Sequence, residues 1–222
     1  MALRLRDDLH WCKSGAKIVF LDLERGRYFS LPQAPSDAFL RLVGGTEQPT
    51  DQRLFEILIR RGMLVEDEDC SSIQSPPSID PPMCDYHFEP FPRAKLIDLI
   101  RELASELRSA WALRRQAIRK VIRSAQYRPS RRDHAPGDQP GSLNAIVAGA
   151  RSCAFISRAH DRCLTRALAV KSLCNRSGVK AKLVFGVIAN PFSAHCWVQL
   201  EASVLVGGFE QARLFTPILV VE

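Results

Sequence analysis

Residues 157–200 read SRAHDRCLTRALAVKSLCNRSGVKAKLVFGVIANPFSAHCWVQL, and this stretch decides the fold of the C-terminal half of the chain. After Cys163 the apolar residues recur every three or four positions, which predicts a helix that begins at that cysteine. Gly178 then stands where a glycine commonly follows the end of a helix. Two strands, rich in β-branched and aromatic residues, are expected next, at 179–188 and 194–200.

Cys163 and His195 are the candidates for a nucleophile and its base. The first turn of a helix has unpaired backbone N–H groups and the positive end of the helix dipole, which both favour an anion. A cysteine at that place has a lowered pKa and forms a reactive thiolate. Because His195 lies near the start of the second strand, the two residues have the parts of a Cys–His pair. The alternative is that Cys163 is an unreactive core residue, since free cysteines are often buried.

The composition predicts a soluble, cytoplasmic protein without a cofactor. The chain has 222 residues, 46% of them hydrophobic, and no apolar run reaches the length of about 20 residues that a membrane span requires. Its first residues do not form a secretory signal. The seven cysteines are irregularly spaced and include no Cys-x-x-Cys pair, which favours free thiols. We see no metal-binding cluster or glycine-rich phosphate loop in the sequence.

The first 70 residues predict a winged-helix module. Short alternating patterns between turn residues indicate strands, and two apolar-periodic segments that end at glycines indicate helices. The strands are expected at 9–12, 17–23, 27–31 and 63–65, and the helices at 36–43 and 50–61.

Winged helices can bind DNA or peptides, and the charge distribution favours a peptide. Residues 1–92 contain ten Lys and Arg but fifteen Asp and Glu, so this part of the chain is poorly suited to phosphate contacts. Such a module can instead accept a peptide as an added strand at its sheet edge. The proline-rich residues 71–92 predict an extended linker, which would separate the module from a second domain at 93–222.

The second domain is expected to open with a long helix over 93–124. Residues 93–132 contain twelve bases and three acids, a pattern that fits nucleic acid, a membrane surface or a solvated helix face. We favour the solvated face, because the bases alternate with apolar residues that we expect to face the core: Leu96, Leu99, Ile100, Leu103, Leu107, Trp111 and Ile118.

Two parts of the chain resemble proteins of lasso peptide biosynthesis. The run Cys163-Leu-Thr-Arg-Ala-Leu-Ala, the segment around Gly186, and Asn-Pro191-Phe-Ser-Ala-His195-Cys-Trp-Val are similar to the leader peptidase of these pathways, a transglutaminase-like cysteine protease. Gly26-Arg-Tyr-Phe-Ser-Leu31 resembles the PqqD-like domain that recognises the leader. The order of the two parts resembles a fused B protein.

The resemblance implies an α+β fold, with helices packed on a small antiparallel sheet in the peptidase domain. It also implies that the protein binds the leader of a precursor peptide and cleaves it, so that a partner macrolactam synthetase can use the freed amine.

Cys163 matches the family's nucleophile and His195 its general base. The third catalytic residue of the family is an aspartate, but this chain has Gly207 at that position. His195 would then be oriented by Glu201, Glu210, a backbone carbonyl or water, and Glu210 is our candidate among the side chains. Pairing of the last hairpin puts His195 opposite Gly207 or Gly208.

The expected leader site is the third strand of the module and the helix after it. A docked leader would contact Arg27, Tyr28, Phe29, Leu31, Leu54, Leu58 and Arg61. Three other functions stay open: a peptide-binding adaptor without catalysis, a DNA-binding regulator, and an acyltransferase built on the same Cys–His pair.

Overall fold

In the computed structural model of this chain, the described residues are 3–67, 73–87, 95–127, 140–156 and 162–222. The N-terminal elements form a three-stranded antiparallel sheet, β2-β3-β4, and a separate pair of strands, β1 and β5. They are β1 (Leu3–Leu5), β2 (Leu9–Ser14), β3 (Lys17–Asp22), β4 (Arg27–Ser30), α1 (Gln33–Val43), a 3-10 turn (Pro49–Asp51), α2 (Gln52–Arg60) and β5 (Leu64–Glu66).

The C-terminal elements form a five-stranded sheet with helices packed on it. The strand order is β10-β7-β8-β9-β6, in which only the β6–β9 pair is parallel. The elements are β6 (Cys84–Asp85), α3 (Leu96–Arg115), α4 (Ile118–Ala125), α5 (Pro140–Ile156), α6 (Cys163–Arg176), β7 (Lys182–Ala189), β8 (Phe192–Leu200), β9 (Ser203–Val206), α7 (Phe209–Ala212) and β10 (Thr216–Val221). The chain is therefore a mixed α+β protein.

Most of the elements match the sequence predictions, with differences at their ends. The strands expected in the first 70 residues are present, and β1 is an additional one. Helix α1 begins three residues before Ser36, whose hydroxyl donates to the Leu31 carbonyl instead of capping the helix. The single helix expected over 93–124 is two helices, α3 and α4, because extended residues at Gln116 and Ala117 interrupt it.

The sheet β2-β3-β4 is buried on both faces. Phe20 and its neighbours on one face pack with helices α1 and α2. On the other face, Val19 and Leu21 belong to the same core as the residues of α5, α6, β7 and β10. Since side chains alternate along a strand, one short sheet serves as a shared layer between the two halves of the chain.

The proline-rich segment lies along both halves. The indole of Trp11 donates to the backbone of Gln74, which ties the segment to the N-terminal module. Further along, Gln199 donates to the backbone of Asp80, and residues 84–85 pair with β9 as strand β6. The described part, 73–87, thus contributes an edge strand to the C-terminal sheet; residues 71–72 and 88–92 of the expected linker lie outside the described residues.

Helix α3 is oriented opposite to the expectation. Of the side chains that we expected in the core, Leu96, Ile100, Leu103, Leu107 and Trp111 are exposed and Leu99 is only half-buried, and the helix buries Glu102, Ser105 and Glu106 instead. Ile118, which belongs to α4, does pack against the main core. These polar residues face α5 and α6: the Ser105 hydroxyl donates to the Ala169 carbonyl, and Arg166 lies 3.6 Å from Glu106. Burial, followed by the charge of Glu106, raises the pKa of Glu102 to about 8. The prediction of a core-facing stripe on α3 was therefore wrong.

The shared layer predicts cooperative unfolding of the whole chain. Leu21 is 2% exposed, so the change Leu21→Ala should lower the free energy of unfolding by about 2–5 kcal/mol. We expect calorimetry to show one transition, shifted to lower temperature. Leu214→Ala is the matched control, because Leu214 is exposed and its truncation should change stability by less than about 0.5 kcal/mol. Two separate transitions, of which only one moves in Leu21→Ala, would contradict a shared core.

Candidate active site

Cys163 is the first residue of α6, as the apolar periodicity predicted. Helix α6 ends at Arg176, and Gly178 follows with a φ of +73°, a left-handed conformation that glycine adopts without strain. The Cys163 side chain is half-buried and packs against the main core. Cys163 therefore combines a helix N-terminus with a half-buried position.

His195 lies on β8, opposite Gly186 of β7. Its ring stacks on Trp197 at a centroid distance of 6.0 Å and contacts Phe215 at 5.3 Å. A side chain at position 186 would meet the same two rings, since a Cβ there would lie 2.6 Å from Trp197 and 2.8 Å from Phe215. Glycine at 186 thus leaves room for the aromatic residues that hold the imidazole.

The backbone carbonyl of Gly207 orients His195. The Nε2 atom of His195 lies 2.9 Å from the Gly207 oxygen, which can only accept a hydrogen bond. Nε2 therefore carries the proton in the neutral imidazole, and Nδ1 is the nitrogen left for Cys163. The sequence predicted that His195 pairs opposite Gly207 or Gly208; the β8–β9 pairing does not extend that far, but the His195 side chain does reach Gly207.

Hydrogen bonds to the sulfur stabilise Cys163 as a thiolate. The largest effect on the pKa of Cys163 comes from the Cys196 side chain, followed by His195, which donates from Nδ1 when its ring is protonated, and then by the Cys196 backbone N–H. Against the effect of burial, these donors lower the pKa of Cys163 to about 4. The pKa of Cys196 is raised well above its ordinary value, mainly by its hydrogen bond to Cys163, so Cys196 keeps the proton that it donates.

Three other thiols, all buried, have raised pKa values. Burial raises the pKa of Cys12 and Cys174 to about 12, and that of Cys153 to about 11. A thiol with such a pKa is protonated at neutral pH and reacts slowly. Cys163 therefore differs from these three in chemistry and not only in position.

The comparison with protein families accounts for this arrangement. A model described as the transglutaminase-like superfamily matches residues 103–220, more than half of the chain. The chain belongs to the transglutaminase-like superfamily. Members of this superfamily are often enzymes that use a cysteine, and the matched residues include both Cys163 and His195. No curated protein and no solved structure matches the chain.

Within the transglutaminase-like domain, no glutamate contacts His195 among the described residues. The Glu210 carboxylate lies in α7, exposed to solvent, and pairs with Arg213 at 2.9 Å. Glu201 lies in the turn between β8 and β9, also exposed. Of the alternatives that the sequence left open, the backbone carbonyl is the one that the geometry supports, and the choice of Glu210 does not fit it.

Glycine at 207 is a requirement of the backbone. Its φ is +113°, and a Cβ there would lie 2.4 Å from the Cβ of Trp197. An aspartate could not take this position unless the backbone moved. The transglutaminase-like domain thus uses the oxygen of the main chain at the position where the resemblance implies a carboxylate.

The residues expected to bind a leader peptide have different environments. Tyr28 packs on the main core and its ring lies 5.6 Å from that of Phe192, while Phe29 faces the other side of the sheet and stacks on Phe20. Leu58 is 1% exposed inside the N-terminal core, so a bound peptide could not contact it, and we remove it from the expected set. Of the others, Leu31 and Leu54 are half-buried, whereas Arg27 and Arg61 are exposed.

Sequence reasoning missed the roles of Cys196 and Tyr28. Burial raises the pKa of Tyr28, the charges of the Cys196, Cys163 and Cys12 thiolates raise it further, and Tyr28 and Cys163 pack against the same core. Cys196 is adjacent to His195 in the sequence, and that adjacency was the only available signal. Over the described part of the chain, no group of three metal-ligating side chains comes together, and no helix is long and apolar enough to cross a membrane.

Removing the Cys196 thiol should make Cys163 a weaker acid. A hydrogen bond to a charged group contributes about 1.5–3 kcal/mol, so Cys196→Ala should raise the inflection of alkylation against pH by about 1–2 pH units from the value near 4. The thiolate exists above the inflection and is lost below it. Cys196→Ser keeps a donor at this position and should shift the inflection less. An unchanged inflection in Cys196→Ala would contradict the role given to this thiol.

An aspartate at position 207 should not orient His195 better than the Gly207 carbonyl does. We expect it to unfold at a lower temperature than Gly208→Asp, the matched control, because position 208 also has a positive φ (+74°) but has open space around its Cβ. The difference, about 1–3 kcal/mol, measures the overlap with Trp197. The prediction would be contradicted if Gly207→Asp were as stable as the parent and its Cys163 were alkylated faster, because a side chain could then replace the carbonyl.

Proposed function

We propose that this protein is a leader peptidase of lasso peptide biosynthesis, which cleaves the leader from a ribosomally made precursor. The observation that carries the proposal is the position of Cys163 at the start of α6, where Cys196 and His195 lower the pKa of its thiol. A thiolate and an imidazole held together are the parts needed to attack an amide. Membership of the transglutaminase-like superfamily supports the same class of chemistry.

The reaction would proceed by acyl transfer and hydrolysis. The Cys163 thiolate attacks the scissile carbonyl, and backbone N–H groups at the start of α6 stabilise the oxyanion. The His195 imidazolium gives the proton on Nδ1 to the leaving amine, which forms a thioester and releases the core peptide. His195 then accepts a proton from water, which attacks the thioester; the leader leaves with a free carboxylate and Cys163 returns as the thiolate.

We further propose that the N-terminal module is winged-helix and PqqD-like, and binds the leader as a strand on β4. Among the described strands, β4 pairs only with β3, so its second edge has free backbone donors and acceptors. An added strand would use these groups for affinity and nearby side chains for specificity.

The position of Tyr28 supports a short path from docking to cleavage. This residue belongs to β4, and the thiols of Cys163 and Cys196 influence its pKa after burial does. Its ring contacts Phe192, which is exposed on the strand that carries His195. A leader bound at β4 would therefore begin close to the nucleophile, and tethering would raise the local concentration of the scissile bond.

In this proposal the protein works in the cytoplasm, without a metal or cofactor, and its partners are the precursor peptide and a macrolactam synthetase. The synthetase would join the freed amine to an Asp or Glu side chain of the core peptide. We do not propose nucleic acid or a membrane as a partner. Hydrolysis alone needs only water, so the cleavage step can be tested with the purified protein and the precursor.

The test is cleavage of a precursor peptide encoded beside this gene, followed by mass spectrometry. We expect free leader and free core peptide, and Cys163→Ala should lower the rate by more than about 1000-fold because the nucleophile is lost. Cys84→Ala is the matched control: Cys84 is exposed on β6, away from the site, and its loss should leave the rate unchanged. Cys163→Ala should still bind the precursor.

Each other function predicts a different result. Cleavage by Cys163→Ala would reject the thiolate mechanism. A parent protein that binds the precursor but never cleaves it would be a peptide-binding adaptor. A leader released as an amide of an added amine, and not as a free acid, would show an acyltransferase.

A further inference from the structure

The exposed face of α3 carries a narrow apolar seam. We define the α3 seam as Leu96, Ile100, Leu103, Leu107 and Trp111, which are between 45% and 74% exposed. Their spacing of four, three, four and four residues places them within an arc of about 80° on a helix. A contiguous row of large exposed apolar side chains is unusual for a surface with no partner.

The packing of α3 against the described elements does not explain the seam. The residues of α3 that contact α5 and α6 lie on the opposite face, where Glu102, Ser105 and Glu106 are buried. Close contact of Gly149 with the backbone of Asp98 fixes that opposite face against α5. Because the polar face is held inside, the apolar face points outward.

A row of arginines runs beside the seam. Arg101, Arg108 and Arg115 are seven residues apart, so they lie along one side of the helix, and all three are exposed. Within the described part of the chain, none of them has a carboxylate within 4.0 Å. Arginine matches carboxylates in a bidentate geometry, and α3 contains no lysine.

We propose that the α3 seam binds an amphipathic helix of a partner protein, whose apolar stripe is flanked by Asp and Glu residues. Spacing of three and four is that of a seam between two helices, and the arginine row would pair with acids on one flank of the partner. This proposal does not depend on the proposed peptidase function, since it concerns a surface on the other side of α3 from α6.

Two other occupants fit the observations less well. A helix that lies on a membrane presents a polar face rich in bases to water, but the polar face of α3 contains Glu102 and Glu106 and is buried in the protein. A second copy of the chain would bring one positively charged helix against another, which like charges oppose.

The test uses the full-length protein and two synthetic 28-residue helical peptides, with leucine at the seam positions and either Glu or Lys on the flanks. Labelled peptide is titrated at a concentration below its self-association, and binding is followed by fluorescence anisotropy. We expect the Glu peptide to bind at least tenfold more tightly than the Lys peptide. The double change Leu103→Glu and Leu107→Glu should weaken binding at least tenfold.

Charge reversal gives the sharper result. Arg101→Glu with Arg108→Glu should reverse the preference, so that the Lys peptide binds better. Met83→Glu is the matched control: Met83 is an exposed apolar residue outside α3, and its change should leave both affinities as they are. All variants alter exposed side chains, so their melting temperatures should stay close to that of the parent.

Four outcomes would overturn the proposal. They are equal affinity for the two peptides, no binding of either, seam-dependent binding to phosphatidylglycerol vesicles but not to the peptides, and a seam-dependent dimer in analytical ultracentrifugation. Since none of these measurements uses cleavage of a precursor, they leave the peptidase proposal to its own test.

Discussion

The hydrogen bonds that converge on the Cys163 sulfur are the constraint around which the site is built. A thiolate in a half-buried position is costly unless donors compensate for lost water, and Cys196 and His195 supply them. The pairing of β9 with β8 reaches no further than Val198, so Cys196 lies beyond the paired part of that edge. The Cys196 backbone N–H can therefore reach the sulfur together with the two side chains.

Among the residues that the structure describes, no carboxylate holds the imidazole. The Gly207 carbonyl fixes one nitrogen of His195, and the rings of Trp197 and Phe215 restrict its plane. A backbone oxygen carries only a partial charge, so it stabilises an imidazolium less than an aspartate would. In this site the thiolate itself supplies the nearby negative charge, and the neighbouring thiol of Cys196 shares the stabilisation of that charge.

The sheet β2-β3-β4 lies between the N-terminal core and the core that supports the candidate site. One face of the sheet completes the N-terminal core and the other completes the core that supports Cys163. Tyr28 follows from this arrangement, since alternation on β4 directs it toward the C-terminal half and Phe29 away from it. The outward apolar face of α3 has a related cause, because α5 and α6 pack on the side of that helix that carries Glu102, Ser105 and Glu106.

Local patterns in the sequence were enough to predict much of the fold and the two main residues of the site. The start of α6 at Cys163, the strand with His195 and the hairpin that brings Gly207 near it all depend on periodicity and turn residues, which act over a few positions. The third partner of His195 could not be predicted in the same way. A carbonyl oxygen has no signature in the sequence, and of the two side chains that the sequence offered, Glu201 and Glu210, we chose Glu210.

What only the tertiary structure decided concerns contacts between residues far apart in the chain. Tyr28 and Cys163 are separated by more than a hundred residues, and no local pattern connects them. The direction of α3 was also beyond local reasoning: an amphipathic pattern shows that a helix has two faces, but the neighbouring helices determine which face is buried. For α3 those neighbours, α5 and α6, accept the polar face, so the apolar face remains on the surface.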